Sequence, residues 1–242
     1  MVCGLTKINI SDNIKQIGGD CFSGNENAKS LYLGQGITNI GTCAFSDCSG
    51  LKTITYAIPN FAGAGSTLFR NSSEPITQIE KLIIKSCVEK IPSIFTRIEE
   101  YDIIIKSIEF DPECITEVGQ DSFIGQTELK SVSLPVGVTK IGKRAFYNAG
   151  VETLELSKDT EQIGDNAFLG CKITKATIPM SAIEEVRLGC QNTDENGNTI
   201  YLLEELTFNN GETIIEKAFN NYTKLHTVNT GDTVIRIQKG AF

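Results

Sequence analysis

A short phrase, Ile-Gly or Val-Gly with Phe four residues after the glycine, recurs along this chain at nearly constant spacing. Phe22 and Phe45 are 23 residues apart, Phe123 and Phe146 are 23 apart, and Phe168 follows after 22. A fixed period of this length is the sequence signature of a solenoid, in which each repeat forms one coil. A single coil has no core of its own, so the coils are expected to share one continuous core by stacking.

A second pattern, with large apolar residues at positions 1, 4 and 6, alternates with this phrase. Positions 4 and 6 are two residues apart, which places both side chains on one face of a short strand. Because every connection runs in the same direction, we expect the strands to pair in parallel. The copies begin at Leu5, Ala28, Leu51, Ile79, Ile105, Leu129, Val151, Ile173, Leu203 and Leu225.

The glycine-containing phrase is predicted to form the return path of each coil. In one copy its apolar residues are Ile141, Ala145 and Phe146, a spacing that fits roughly one helical turn. Gly142 allows a bend or a close backbone approach before that turn. The predicted fold class is therefore an α/β repeat, a solenoid with a parallel β-sheet on one face and short helical or 3₁₀ return segments on the other.

The combined pattern, approximately I-G-x-x-A-F-x-x-C-x-x-L-x-x-L-x-L-P, resembles the BspA-like (Treponema-type) leucine-rich repeat family. The resemblance covers nearly the whole chain and fails in two stretches, near 58–76, where only Leu68-Phe69 is left of the phrase, and near 180–202. It implies adhesion and host-interaction proteins that are secreted or on the cell surface, and it transfers no binding residues. We expect one solenoid of about ten coils over 1–242, with two irregular insertions.

Composition limits the partners. The net charge of -8 and the pI near 4.9 argue against a nucleic-acid partner. No run of 18 apolar residues is present, so no transmembrane segment is predicted. No secretory signal precedes the first repeat, which keeps a cytoplasmic location as the alternative to the cell surface or secretion. Neither end carries the polar cap that a solenoid needs, so we expect a fragment of a longer chain.

Four of the eight cysteines, Cys3, Cys21, Cys48 and Cys171, lie at equivalent repeat positions and are predicted to be packing residues rather than a disulfide or metal set. Cys48 and Cys171 occupy one repeat position and Cys21 replaces the small alanine of the phrase, so we expect all three to be inaccessible thiols. No Cys-x-x-Cys occurs and the single histidine, His226, has no ligand partner at useful spacing, so no metal site is predicted. The less constrained positions, which are candidates for exposure, are Cys43, Cys87, Cys114 and Cys190.

No catalytic residues and no cofactor are predicted. A Ser or Cys nucleophile would need His226 as its base, and a lone histidine in a strand is typical of a surface. The spacing from Asp194 to Glu205 imitates a calcium loop, but Thr199 stands where the sharp turn needs glycine. The pattern favours a hairpin turn at Asn196-Gly197-Asn198, followed by a strand that contains Glu205.

Two surfaces are candidates for binding a protein or glycan partner. The outward strand face is mainly Ser and Thr, whereas interface hot spots are enriched in Trp, Tyr and Arg. Ten strands at the usual spacing would form a ribbon roughly 43 Å long. The insertions hold the aromatic residues and arginines that this ribbon lacks, so we expect a partner to contact them more strongly, while Phe69 is expected to fold back onto the core.

The candidate residues in the insertions are Phe61, Arg70, Arg187 and Tyr201. The strand-face alternatives are Tyr32, Thr55, Glu109, Ser133, Glu155 and Thr177. The predicted function is a non-catalytic protein-binding or adhesion module of a cell-surface or secreted protein. The alternatives are a structural spacer, a rod that self-associates through its end coils, or an intracellular scaffold.

Overall fold

The computed structural model describes residues 4–61, 68–73, 76–85, 88–100, 102–111, 115–214 and 218–242, without the side chains of Arg187 and Leu188. A 3₁₀ helix spans Ser93–Phe95, a second spans Met180–Ala182, and the α-helix α1 spans Ile183–Gly189. The strands are β1 (Lys7–Ile10), β2 (Gln16–Ile17), β3 (Ser30–Leu33), β4 (Asn39–Ile40), β5 (Thr53–Tyr56), β6 (Gln78–Ile79), β7 (Lys81–Ile84), β8 (Lys90–Ile91), β9 (Ile104–Ile105), β10 (Ile108–Phe110), β11 (Glu117–Val118), β12 (Ser131–Ser133), β13 (Lys140–Ile141), β14 (Thr153–Glu155), β15 (Gln162–Ile163), β16 (Lys175–Pro179), β17 (Gln191–Thr193), β18 (Thr199–Tyr201), β19 (Glu205–Asn210), β20 (Thr213–Ile214), β21 (Thr227–Asn229) and β22 (Arg236–Ile237).

One strand from each repeat lies on a common face of the solenoid, and we call these the front strands. Each coincides with one of the apolar patterns found in the sequence, and their pairings are parallel, for example Leu31 opposite Ile54. Inward side chains such as these two are at most 1 % exposed. The predicted parallel strands are confirmed. The front strands are β1, β3, β5, β7, β10, β12, β14, β16, β19 and β21.

The front face is not the single continuous ribbon that the sequence predicted. The front strands β1 to β10 form one five-stranded sheet and β12 to β21 form another, and the described residues show no pairing between β10 and β12. The inward Ile108 and Phe110 at this break are only half-buried, whereas Leu82 and Ile84 of the neighbouring β7 are 0 % exposed. The break therefore separates the ten strands into two stacks.

The buried side chain of Gln126 bridges the two coils at this break. Its Nε2 donates to the Phe95 carbonyl at 2.7 Å and to the Ile103 carbonyl at 3.2 Å. Its Oε1 accepts from the Ile105 backbone N–H at 2.8 Å. The two coils that meet here are thus joined through a side-chain amide, where their front strands form no ladder.

A second set of strands, each two residues long, carries the Ile or Val that begins the return phrase. We call these the side strands. β8, β11, β13 and β15 form a four-stranded parallel sheet that passes the break in the front face without interruption. The side strands β2 and β4 pair in the same way, as do β20 and β22. This side sheet was not predicted, because two residues carry no readable period.

Beyond the side strands, the regular return path is a series of turns instead of the single helical turn that the spacing suggested. The residues two positions before and after each phrase phenylalanine have positive φ, for example 53° at Arg144 and 54° at Asn148 on either side of Phe146. A right-handed helix cannot pass through such residues, and Gly, Asn and Asp adopt this conformation at least cost. The residues before the phenylalanine are Asp20, Cys43, Asp121, Arg144 and Asn166, and those after it are Gly24, Asp47, Gly125, Asn148 and Gly170.

The phrase phenylalanines stack along the solenoid axis and form the centre of the core. Phe146 is 0 % exposed. Its ring centroid lies 5.3 Å from that of Phe123 and 5.5 Å from that of Phe168, with nearly parallel planes. The backbone follows the same ladder, since the N–H of Phe146 donates to the Ala167 carbonyl of the next coil at 2.8 Å. The predicted burial of Phe146 is confirmed.

The first insertion rejoins the repeat at Leu68-Phe69. The ring of Phe69 is 2 % exposed and stacks on Phe45 at a centroid distance of 5.6 Å. The Phe45 N–H donates to the Leu68 carbonyl at 2.9 Å, as in the regular coils. The prediction that Phe69 folds back onto the core is confirmed. The glycine-rich segment 62–67, predicted to be a flexible insertion, lies outside the described residues.

The second insertion consists of α1 followed by a β-hairpin. The end of α1 packs directly against the preceding coil, since a Cβ added at Gly189 would lie 2.9 Å from the Cβ of Phe168. Strands β17 and β18 pair antiparallel, which confirms the predicted hairpin turn, and Glu205 begins the front strand β19 as predicted. The N–H of Leu202 donates to the Cys190 carbonyl at 2.8 Å and closes the base of the hairpin. The segment 191–201, which we call the hairpin, therefore interrupts the coil without displacing its core.

Candidate interaction surfaces

The hairpin projects a polar turn into solvent. Asp194 organises this turn, since its Oδ1 accepts from the backbone N–H of Asn196 at 2.9 Å and of Asn198 at 2.8 Å. Hydrogen bonds from Asn198 hold the pKa of the Asp194 carboxyl below its ordinary value. The carboxylate thus builds the turn itself, and no group of three or more His, Cys, Asp or Glu in the described part of the chain is arranged to hold a metal.

Tyr201, one of the predicted binding residues, anchors the hairpin to the coil behind it. Its ring stacks on Tyr222 at a centroid distance of 4.3 Å, and Tyr222 in turn meets Phe219 edge-on at 5.1 Å. Tyr201 is half-buried, whereas 192–193 and 195–199 are exposed. The side chains available to a partner are therefore those of the hairpin tip more than the tyrosine.

The other insertion residues have separate surroundings. Phe61 is half-buried and packs against the core, so only part of its ring faces solvent. The Arg70 guanidinium lies 3.8 Å from the Glu99 carboxylate, and its side chain is 43 % exposed. The backbone of Arg187 lies in α1, but its side chain falls outside the described residues.

Arg70 also lines a recess of about 260 Å³ between the return turns of the first two coils and the first insertion. We call this the Asp20/Asp47 recess. Its other lining residues include Asp20, Cys43, Ser46 and Asp47, which belong to the positive-φ corners or lie next to them. This recess could not be predicted from the sequence, because Asp20 and Asp47 are distant in sequence and occupy different positions of the repeat. The one signal in the sequence was that Asp20 lies two residues before Phe22 and Asp47 lies two residues after Phe45.

Several outward residues of the front strands are paired with neighbouring side chains. Ser133 donates to the Glu155 carboxylate at 2.7 Å, and the Tyr32 hydroxyl donates to Asp12 at 3.1 Å. The Glu109 carboxylate is 2.7 Å from the Lys81 ammonium. Such exposed pairs contribute little stability individually. Tyr32 and Thr55 are half-exposed at most.

The sheet formed by the front strands β12, β14, β16, β19 and β21 has a shallow depression of about 190 Å³. Glu155 and Thr177 line it, together with Lys175 and Glu205, whose charged atoms are 2.7 Å apart. Hydrogen bonds and charge from Glu205 raise the pKa of Lys175. The depression brings together two of the predicted strand-face residues on neighbouring strands, β14 and β16.

The cysteines follow the packing prediction with two corrections. Cys48 and Cys171 are buried, and each thiol donates to the carbonyl of the phenylalanine in the preceding coil, Phe22 or Phe146, at 3.2 Å. Cys21 is exposed, contrary to prediction, because no described coil packs over its side of the first repeat. A second correction concerns Cys190, which was a candidate for exposure and is buried, while Cys43 is half-buried. Cys3, Cys87 and Cys114 lie outside the described residues.

His226 is exposed just before β21, as predicted, with its Nδ1 3.0 Å from the Thr227 hydroxyl. No helix in the described residues is long and apolar enough to span a membrane.

The repeat pattern matches a known family model. The model for the BspA type leucine rich repeat region matches six copies, over residues 1–95 and 116–242. The chain belongs to the BspA-type leucine-rich repeat family. The unmatched segment 96–115 contains β9 and β10, next to the break in the front face. Solenoids of this BspA type are typically non-catalytic, and their repeats are suited to binding proteins.

Several solved structures are similar to this BspA-type chain. One is a leucine rich cell surface protein from Faecalibacterium prausnitzii A2-165, with 18 % identity and a TM-score of 0.35, covering 94 % of this chain and 79 % of that one. A leucine-rich repeat protein from Eubacterium ventriosum has 14 % identity and a TM-score of 0.33, with coverages of 98 % and 82 %. A leucine-rich repeat protein from Bacteroides ovatus has 19 % identity and a TM-score of 0.33, with coverages of 97 % and 69 %. The search of curated proteins found no match.

Proposed function

We propose that this chain is a non-catalytic protein-binding module that acts in adhesion, on a cell surface or after secretion. The family membership supports a binding role for the repeats. Its place on a cell surface rests on the resemblance of the repeat pattern to the BspA-like family.

The observation that carries the proposal is the construction of the hairpin. Its base is closed by the bond from Leu202 to Cys190, its side is held by the stacking of Tyr201 on Tyr222, and its turn is ordered by Asp194. Core packing requires none of the exposed tip, 192–193 and 195–199. A rigid element that contributes nothing to the shared core is suited to display, because a pre-ordered loop loses little entropy on binding.

Replacement of 192–198 by a short neutral loop tests the proposal. The purified chain is first screened against arrays of purified secreted and cell-surface proteins and of glycans, and the dissociation constant for each hit is measured by biolayer interferometry. We expect a protein hit, weakened at least tenfold by the loop replacement, while the denaturant midpoint stays nearly unchanged because the base and the Tyr201 anchor are kept.

A matched pair of front-face variants, Thr153→Lys and Thr177→Lys, provides the control, and both should bind normally. If the front-face variants abolish binding while the loop replacement does not, the front strands are the site. If the screen gives no protein hit, a protein-binding role is contradicted.

A further inference from the structure

The Asp20/Asp47 recess presents acceptor groups that nothing in the fold uses. The carboxylate of Asp47 is held in place, since its Oδ1 accepts from the Ser72 N–H at 2.6 Å and from the Ser72 hydroxyl at 2.9 Å. Its Oδ2, and both side-chain oxygens of Asp20, have no hydrogen bond or ion pair within the described ranges. Both aspartates sit at positive-φ corners, with φ of 53° and 54°, so the turn geometry fixes where they lie.

Ser46 provides a second and independent sign of a missing partner. It is 6 % exposed and lines the recess, and its hydroxyl has no hydrogen-bond partner among the described residues. Nearly all buried hydroxyls in proteins are paired, so an unpaired one requires a reason. Because Ser46 lines the recess, a hydrogen-bond donor bound there would supply the partner that its hydroxyl lacks.

The charge of the recess selects the kind of ligand. Asp20 and Asp47 contribute two negative charges, whereas the single positive charge of Arg70 is shared with Glu99 at 3.8 Å. An anion would face two carboxylates at short range, while a cation is attracted by both. The recess therefore favours a cationic group.

We propose that the recess binds a primary ammonium group, supplied by a lysine side chain of the protein partner. This inference rests on the proposed binding function and assigns one contact within it. An ammonium carries three donors and no acceptor. The recess offers three acceptors to match, namely the Asp20 carboxylate, Oδ2 of Asp47 and the Ser46 hydroxyl.

An arginine side chain fits this arrangement less well. A guanidinium binds a carboxylate best through two parallel hydrogen bonds, which require both oxygens of one carboxylate. Ser72 already occupies Oδ1 of Asp47 with two donors, so only Asp20 retains both oxygens. The geometry thus favours the compact ammonium over the planar fork.

Nuclear magnetic resonance titration of the ¹⁵N-labelled chain tests the site directly. The probe is Nα-acetyl-lysine methylamide, and the matched neutral probe is Nα-acetyl-norleucine methylamide, which keeps the alkyl chain and lacks the ammonium. We expect saturable amide shifts near Asp20, Ser46 and Asp47 with the lysine probe only. Asp20→Asn and Asp47→Asn keep residues that tolerate positive φ. Each should raise the dissociation constant of the lysine probe by about fivefold, the effect of losing a partly exposed ion pair. Asp232→Asn, an exposed aspartate of the last coil, should leave binding unchanged.

Equal shifts with the norleucine probe, no shifts with either probe, or unchanged lysine binding in both recess variants would each contradict the site. Tighter binding of Nα-acetyl-arginine methylamide would contradict the choice of an ammonium. The same recess variants are then measured against the protein partner found in the array screen, and an unchanged dissociation constant contradicts the assignment of the recess to that partner. If replacement of the hairpin weakens partner binding but the lysine probe shifts no amide at the recess, this inference is refuted and the proposed function still stands.

Discussion

The side chain of Gln126 and the backbone of Ile105 are joined by a hydrogen bond of 2.8 Å at the one place where the described front strands do not pair. Gln126 lies three residues after Phe123, a repeat position that Cys48, Ala149 and Cys171 fill in other coils. In two of those coils a thiol bonds the phenylalanine carbonyl of the preceding coil. Gln126 makes the same bond to Phe95 and uses its longer amide to reach Ile103 and Ile105 as well.

Replacement of Gln126 by methionine keeps the side-chain length and removes these hydrogen bonds. Because the backbone groups of Ile105, Phe95 and Ile103 would lose a buried partner, we expect the free energy of unfolding to fall by more than about 2 kcal/mol. Hydrogen exchange should show faster exchange at the Ile105 amide. Gln162→Met, at an exposed position of β15, is the control and should change stability by less than about 0.5 kcal/mol. Equal stability of the two variants would show that the amide does not hold the coils together.

Phe146→Ala should cost about 3–5 kcal/mol of unfolding free energy, since the ring is fully buried between two stacked neighbours and its removal leaves a cavity. The measurement is chemical denaturation followed by circular dichroism. Phe242→Ala is the matched control, because this phenylalanine stacks on Phe219 alone and is 44 % exposed. If Phe146→Ala lowers the free energy of unfolding by less than about 1 kcal/mol, well under the usual cost for core aromatics, the stacked rings do not form the centre of the core.

The front strands and the phenylalanine positions were predictable because their signal repeats in every coil. The side strands were not, since two residues carry no period, and the positive-φ corners were hidden because Asp, Asn, Gly, Cys and Arg all occupy them. The bridge at the break is made by one side chain, Gln126, and its hydrogen bonds cannot be read from the sequence without knowing which backbone groups lie beside it. The recess joins Asp20 to Asp47 through stacking of coils, a relationship that appears only when the register is known in three dimensions.

Cysteine labelling separates the packed thiols from the open one. With iodoacetamide at pH 8 under native conditions, we expect modification of Cys21, which is exposed, and none of Cys48, Cys171 and Cys190, which are buried. After denaturation all four should react. Peptide mapping by mass spectrometry identifies each site. Native modification of Cys171 at the rate of Cys21 would be incompatible with the packing described for that coil.

Alkaline pH should destabilise the fold through the buried thiols. Burial raises the pKa of Cys48 from 9.0 to about 11 and that of Cys171 from 9.0 to about 12, and it raises the pKa of Cys190 as well. Because the unfolded chain ionises first, the contribution of each thiol is fully present below pH 9.0 and is lost as the pH rises toward the folded pKa. The urea midpoint measured from pH 7 to 11 should therefore fall above about pH 9. Cys171→Ala introduces the residue found at the equivalent position Ala149. Its urea midpoint should fall less steeply with pH than that of the unsubstituted chain, and an identical slope would show that the thiols are not the cause.

Glycine at the second position of the phrase permits the coils to approach each other, and the first repeat supplies its own control. A Cβ added at Gly142 would lie 2.4 Å from the backbone nitrogen of Gln120, whereas at the equivalent Gly18 nothing lies within 4 Å. Neither glycine has positive φ, so alanine is strained at Gly142 by the neighbouring backbone and not by its own conformation. We expect Gly142→Ala to lower the unfolding free energy by about 1–3 kcal/mol, the usual cost of overpacking. Gly18→Ala should be neutral or stabilising by up to about 1 kcal/mol, because alanine reduces the freedom of the unfolded chain. Denaturant unfolding of both variants measures the difference, and equal effects would mean that the close contact between coils does not explain the glycine.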